Sequence, residues 1–207
     1  MTQQTLNDSY KHQGLRKQML KSLVEAGIND MEVLRVMEEI PRHWFLESAF
    51  LDFAYGDKPF PNRANFGILP SLDIAKILSE FNLKPFQKVL EVGVGTGYHS
   101  ALMHGLKAKV YVVESDRGLF KDSGILFQQL GMSIKLYFQN NALKGLLDHA
   151  PFEAIHVLDT VLFEPKELLD QLAIDGKLIY RIKEGSDVVT KLVVRVSDVE
   201  YKTFYIM

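Results

Sequence analysis

Three glycines at alternate positions, Gly93, Gly95 and Gly97, follow an acidic residue, Glu91, and a second acidic residue, Glu114, closes the next apolar run. Glycines so spaced let a chain turn sharply and let a ligand approach the backbone, which a Cβ at those positions obstructs. Residues 88–92 (Lys-Val-Leu-Glu-Val) read as a buried strand and 100–106 as a helix, so the glycines join a strand to a helix whose first N–H groups lack partners. Strand, glycine turn and helix together make a nucleotide-binding arrangement. The third glycine comes one residue too early for the G-x-G-x-x-G fingerprint of dinucleotide dehydrogenases, which weakens pyrophosphate as the ligand. Glu114 at a strand end can accept from both ribose hydroxyls, a chemistry common to several nucleoside cofactors.

A third carboxylate, Asp159, falls just past the carboxyl end of a later strand, where α/β sheets place ligand-contacting groups. It is a candidate to bind an amine or to act as a base, and equally a capping or turn aspartate. His99 beside the turn and His156 inside a strand have no metal-ligand spacing with carboxylate support, so they read as structural and no metal is expected. The chain has no cysteine, which excludes disulfides, thiolate nucleophiles and Cys-ligated metal centres.

The elements that must position these groups follow from periodicity. Residues 10–26 carry Leu15, Met19, Leu20, Leu23 and Val24 at helical spacing, and Gly27 ends the run. Asn29 with Glu32 reads as a capping box for a second helix with Met31, Leu34, Met37 and Ile40 inward, closed by Pro41. A third short helix is expected within 44–55, then a long loop over 56–71, then a helix over 72–81. Beyond the glycine turn, strands at 109–113, 133–138, 154–158 and 177–182 alternate with helices at 118–130 and 165–172. This predicts an α/β fold: a doubly wound, mostly parallel, seven-stranded Rossmann-like sheet, with 187–196 and 199–206 as a C-terminal antiparallel hairpin and an N-terminal helical extension. One domain is expected over 1–207, with helices and a loop in 1–81 and the ligand-binding core in 82–207. A formal net charge of −2 gives no electrostatic case for nucleic acid or an anionic membrane. The polar amino terminus and the absence of a long apolar run predict a cytoplasmic protein.

The acidic strand end followed by Gly-x-Gly-x-Gly resembles motif I of class I S-adenosylmethionine (SAM)-dependent methyltransferases. Residues 40–60, with Pro41-Arg42-x-x-Phe45, resemble the segment before the active-site loop of protein-L-isoaspartate O-methyltransferases, and with 89–98, 150–153 and 168–172 the similarity runs in register from about residue 10 to about residue 185. The resemblance implies SAM as cofactor, with S-adenosyl-L-homocysteine (SAH) as its product. It implies Glu91, Gly93, Val94, Gly95, Gly97, Glu114 and Asn141 as cofactor-binding residues, and isoaspartyl peptides or proteins as methyl acceptors.

The acceptor-side elements of that family are altered. Its Gln-Thr-Ile-Ser-Gln-Pro loop aligns so that Thr falls on Gly67 and Ser on Leu69, or on Ile68 in a shifted register, and no hydroxyl is recovered. Ser71 is the nearest replacement and the candidate catalytic hydroxyl; its position ahead of a helix suits an N-cap as well. The family's Gly-Asp-Gly appears as Asn140-Asn141-Ala142, which leaves Asn141 to meet the adenine amino group without charge assistance. Leu158-Asp159-Thr160 replaces Thr-Ala-Gly, which makes Asp159 the second catalytic candidate, and Arg181-Ile182-Lys183 replaces Pro-Val-Gly. Three functions stay open on the sequence: isoaspartyl methyl transfer, a SAM- or SAH-binding protein that has lost the acceptor site, and methyl transfer to another nucleophile.

Overall fold

In a computed structural model the described residues are 6–56, 60–61 and 67–206. They form helices α1 (Tyr10–Glu25), α2 (Met31–Glu39), α3 (Ser71–Phe81), α4 (Tyr98–Gly105), α5 (Arg117–Gln129) and α6 (Lys166–Leu169). A two-stranded ribbon, β1 (Phe60–Pro61) and β2 (Gly67–Ile68), precedes the main strands β3 (Lys88–Val92), β4 (Lys109–Glu114), β5 (Lys135–Phe138), β6 (Phe152–Val161), β7 (Leu172–Glu184), β8 (Asp187–Arg195) and β9 (Tyr201–Tyr205). The main sheet has the order β5-β4-β3-β6-β7-β8-β9. It is parallel from β5 to β7, and β8 and β9 add antiparallel at the edge, as the β-rich carboxyl terminus predicts. Strand order reverses between β3 and β6, so their carboxyl ends border the crevice where ligands of open α/β sheets bind.

The two faces of this sheet are covered unequally. On one, Met37, Ile77, Leu78, Leu102 and Phe127 from α2, α3, α4 and α5 form one apolar cluster with Val89 and Val112. On the other, Leu90, Val92, Val113, Ile155, Leu178 and Tyr180 are closed by α6 and by short turns at Ala142–Lys144 and Leu147–His149. Helix α6 is shorter than the periodicity of 165–172 predicts because the Gln171 side chain interrupts it. Its amide donates to the Glu167 and Lys144 carbonyls and accepts from the Leu146 N–H, and Leu172 already belongs to β7.

Helix α2 also departs from its predicted register. Asp30, one residue beyond Asn29, is the N-cap and accepts from the Glu32 and Val33 N–H groups at 3.1 Å. Val33, Val36 and Met37 therefore face the core, and Met31 is 73% exposed. The expected helix within 44–55 is two 3₁₀ turns, Arg42–Phe45 and Ser48–Phe53. Of the loop at 56–71, residues 57–59 and 62–66 lie outside the described residues, and the rest contains the β1–β2 ribbon.

The amino-terminal segment is anchored by side chains. Buried Arg16 donates two hydrogen bonds to the Asp8 carboxylate, at 3.0 and 2.8 Å, and one to the Tyr55 hydroxyl. That hydroxyl lies 2.8 Å from His43 Nδ1, and His43 Nε2 lies 2.9 Å from the Asn7 carbonyl. The set is consistent if Nε2 carries the imidazole proton and Tyr55 donates to Nδ1. No helix among the described residues is long and apolar enough to cross a membrane.

Candidate functional site

The turn between β3 and α4 is left-handed at each glycine, with φ of 86° at Gly93, 51° at Gly95 and 83° at Gly97. At Gly95 a side chain is excluded twice: the backbone angle disfavours L-residues, and a Cβ would sit 2.5 Å from Leu158 Cδ2. Gly97 caps α4, and its missing Cβ admits the Phe127 ring, 2.9 Å from where that atom would be. The turn is thus packed from beneath by β6 and α5, with its backbone left as the surface presented to the crevice.

Glu114, 3% exposed, fixes the turn to the neighbouring strand. Its Oε2 accepts from the Val94 N–H at 2.7 Å, and its Oε1 accepts from the Ser115 and Asp116 N–H groups at 2.6 and 2.7 Å. Of roughly four acceptor positions on a carboxylate, three are taken by backbone. Ribose hydroxyls at this residue would join or displace these bonds. Asn141, exposed beyond β5, accepts from the Leu143 N–H through its side-chain oxygen and caps the turn that follows, so the acceptor expected to meet the adenine amino group is already engaged.

Glu91 is fully buried on the side of β3 that faces α4. Its carboxylate accepts from Ser100 Oγ and from His99 Nδ1 at 2.9 Å, and His156 Nδ1 stands 3.6 Å away, beyond hydrogen-bond reach. Burial alone would raise the Glu91 pKa, but His99, followed by His156, outweighs it and holds the carboxyl below its usual range. Burial, then the charge of His99, pushes His156 down. The structure therefore gathers two histidines that have no sequence spacing in common around the acidic residue of the motif.

Asp159 continues β6 past the crevice, with its Oδ2 3.7 Å from the Cβ position of Gly93. Half-buried, and without a hydrogen bond or ion pair among the described residues, it has its pKa raised to about 6, first by burial and then by Glu114, with Arg181 opposing. Arg181 in β7 donates to the Leu158 carbonyl at 2.8 Å, its Nε is buried without a partner, and its charge is opposed by burial and supported by Asp73 and Asp159. Ser71 is the first residue of α3, with Pro70 in the cap position. It is 0% exposed, its hydroxyl is engaged by Arg42 and Met19 Sδ, and Arg42 also donates to the Leu69 carbonyl at 2.9 Å. The pair ties the Pro-Arg segment to the start of α3.

A cavity opens between these parts, lined by Leu69, Ile74, Val94, Thr96, Tyr98, His99 and Leu158. Neither Tyr98 nor Thr96 is among the site residues the sequence singles out. Both lie within or directly after the glycine turn, and that position is the signal that could have found them. The Tyr98 hydroxyl is buried without a hydrogen-bond partner among the described residues, and burial raises its pKa.

Residues 14–206 match the family described as Protein-L-isoaspartate(D-aspartate) O-methyltransferase (PCMT). A protein-L-isoaspartate O-methyltransferase of Flavobacterium johnsoniae is 40% identical over 188 residues, 91% of this chain and 88% of that protein. Another, of Flavobacterium psychrophilum, is 37% identical over 197 residues, covering 95% and 92%. A solved structure described as a protein-L-isoaspartate O-methyltransferase aligns with a TM-score of 0.81 at 24% identity, covering 93% of this chain and 63% of that one. A second, from Plasmodium falciparum and in complex with S-adenosyl-L-homocysteine, aligns at 0.77 and 22% identity over 94% of each chain. The two structures establish the seven-stranded fold.

Proposed function

The chain belongs to the protein-L-isoaspartate(D-aspartate) O-methyltransferase family, and from that premise we propose that it methylates the α-carboxylate of isoaspartyl residues, using SAM held at the turn between β3 and α4. The observation that carries this reading is Asp159, a half-buried carboxylate without a partner among the described residues, set over Gly93. A half-buried carboxylate with no hydrogen bond or ion pair, whose charge Arg181 only partly offsets, calls for a cation in contact with it. SAM brings an α-ammonium and a sulfonium to such a place, and bound there it supplies an electrophilic methyl group.

The residues fit that ligand. The bare backbone of Gly93, Gly95 and Gly97, with Val94, permits close approach. Glu114 takes the ribose, Asn141 the adenine edge, and Asp159 the α-ammonium. Glu91 acts from behind the turn, as the anion that holds His99 and Ser100. Leu69, Ile74 and Leu158 keep water from the methyl group.

The acceptor is already a carboxylate, so the transfer is an in-line displacement that asks for alignment and no general base. A carboxylate oxygen forms the new O–C bond while the C–S bond breaks and sulfur keeps its electron pair. Arg181, beside Asp159 and Leu158, supplies positive charge on the acceptor side. Methyl transfer from labelled SAM to an isoaspartyl peptide tests the proposal, with SAH affinity measured on the same preparation. Methyl ester formation is expected. Saturable SAH binding with no transfer would instead show a cofactor-binding protein that has lost its acceptor site.

A further inference from the structure

Glu91, His99 and His156 come from three elements that meet only in the fold. Glu91 and His156 stand side by side because β3 and β6 pair in parallel with those residues in register, and His99 descends on them from the first turn of α4. One potential ligand atom from each residue lies within 4.8 Å of the others, and all three side chains are buried. Two imidazoles and one carboxylate are the donor set of many zinc sites.

The spacing fits as well. A four-coordinate ion about 2.0–2.2 Å from each donor holds its donors about 3.3–3.5 Å apart. Glu91 Oε1 lies 2.9 Å from His99 Nδ1 and 3.6 Å from His156 Nδ1, values that straddle that separation. Hydrogen bonding accounts for only part of the cluster. It satisfies the Glu91 carboxylate and His99 Nδ1, yet His156 Nδ1, 3.6 Å from that carboxylate, is left buried without a partner among the described residues. Buried polar atoms in native interiors are nearly always paired, so an orphaned imidazole nitrogen facing a carboxylate asks for a further ligand.

We propose that Glu91, His99 and His156 bind a divalent transition metal of the zinc class, through Glu91 Oε1 and the Nδ1 atoms of both histidines. His99 also lines the cavity beside the glycine turn, so one of the three residues borders the side from which an ion would arrive. The ion would clamp β3, β6 and α4 together directly behind the turn. This inference is independent of methyl transfer, since the trio binds the ion with no cofactor or acceptor engaged.

Cobalt(II) is the probe. The full-length chain, freed of metal by a chelator, is titrated with cobalt and followed by its visible ligand-field band, with zinc as competitor and thermal unfolding as a second readout. A saturable band at about one equivalent per chain, displaced by zinc, is expected, with an unfolding temperature that rises with metal concentration. His156→Val, which suits a buried strand, should abolish both signals. His99→Gln keeps a donor for Glu91, so it should melt like the metal-free parent and show no rise with metal. Absence of a saturable band in the parent chain overturns the proposal, and so does a band or a metal-dependent rise that survives in either variant.

Discussion

On the β4 side of the crevice the polar groups are satisfied by the protein itself: Glu114 accepts three backbone N–H groups, and one of them belongs to the glycine turn. On the β6 side they are not. Asp159 has no hydrogen bond or ion pair among the described residues, and Arg181 keeps a buried Nε unpaired. The first half is shaped before any ligand arrives, and the second holds charges that a ligand would neutralise. Binding sites commonly carry such local instability as the cost of function.

The largest effect should come from Glu114→Ala. Each backbone N–H left unpaired in the interior costs about 1–3 kcal/mol, and the variant orphans the Val94 N–H in the turn itself. Calorimetric titration should show SAH affinity reduced by about 100-fold or more, with a lower melting temperature. Unchanged affinity would mean that the satisfied side of the crevice is not the cofactor's side.

Asp159→Asn should do two opposite things. Because the folded-state pKa of about 6 lies above the ordinary carboxyl value, Asp159 favours the fold below about pH 4 and loses that contribution as pH rises through 6. Without cofactor, the asparagine variant should therefore be more stable than the parent above pH 6, by about 1–2 kcal/mol once partial exposure is allowed for, and equal to it near pH 4. At pH 8 the same change should weaken SAH binding by about tenfold, the loss of one charge-assisted contact. Melting curves across pH that showed the variant less stable at pH 8 would remove the claimed tension from the β6 side.

Ser71→Ala should have the smallest effect. The hydroxyl is buried against Arg42 and Met19, so its loss should cost about 1 kcal/mol of stability and leave the KM for an isoaspartyl peptide unchanged. A tenfold rise in that KM with the melting temperature intact would put the hydroxyl at the acceptor and redraw the boundary between the two sides.

What could be read in the sequence was what is local. The strand, glycine turn and helix around Gly93–Gly97, the helix at 10–26 and the carboxyl-terminal hairpin each declare themselves through period and turn residues, and the fold has them. The register of α2 differs from the one its periodicity predicts because Asn29 and Asp30 are both good caps; packing of Val33, Val36 and Met37 favours the latter. Helix α6 is shorter than its local period predicts because the bonds that end it run from Gln171 to Leu146 and Lys144, far along the chain. The grouping of Glu91 with His156 depends on the β3–β6 register, which no spacing within either strand encodes. For the same reason Ser71, adjacent to an apparent loop, gave no sign of being bound to Arg42.

The anchoring of Asn7 and Asp8 has one more consequence. Tyr55 stands just ahead of the ribbon that leads to Leu69, and it is held by Arg16 and His43, which are held in turn by Asp8 and Asn7. Residues with no chemistry of their own thus fix the point from which the chain leaves the helical extension. A fusion or truncation that disturbs Asn7 or Asp8, the most routine of manipulations, removes the groups that hold Arg16 and His43 against Tyr55 and should lower the melting temperature.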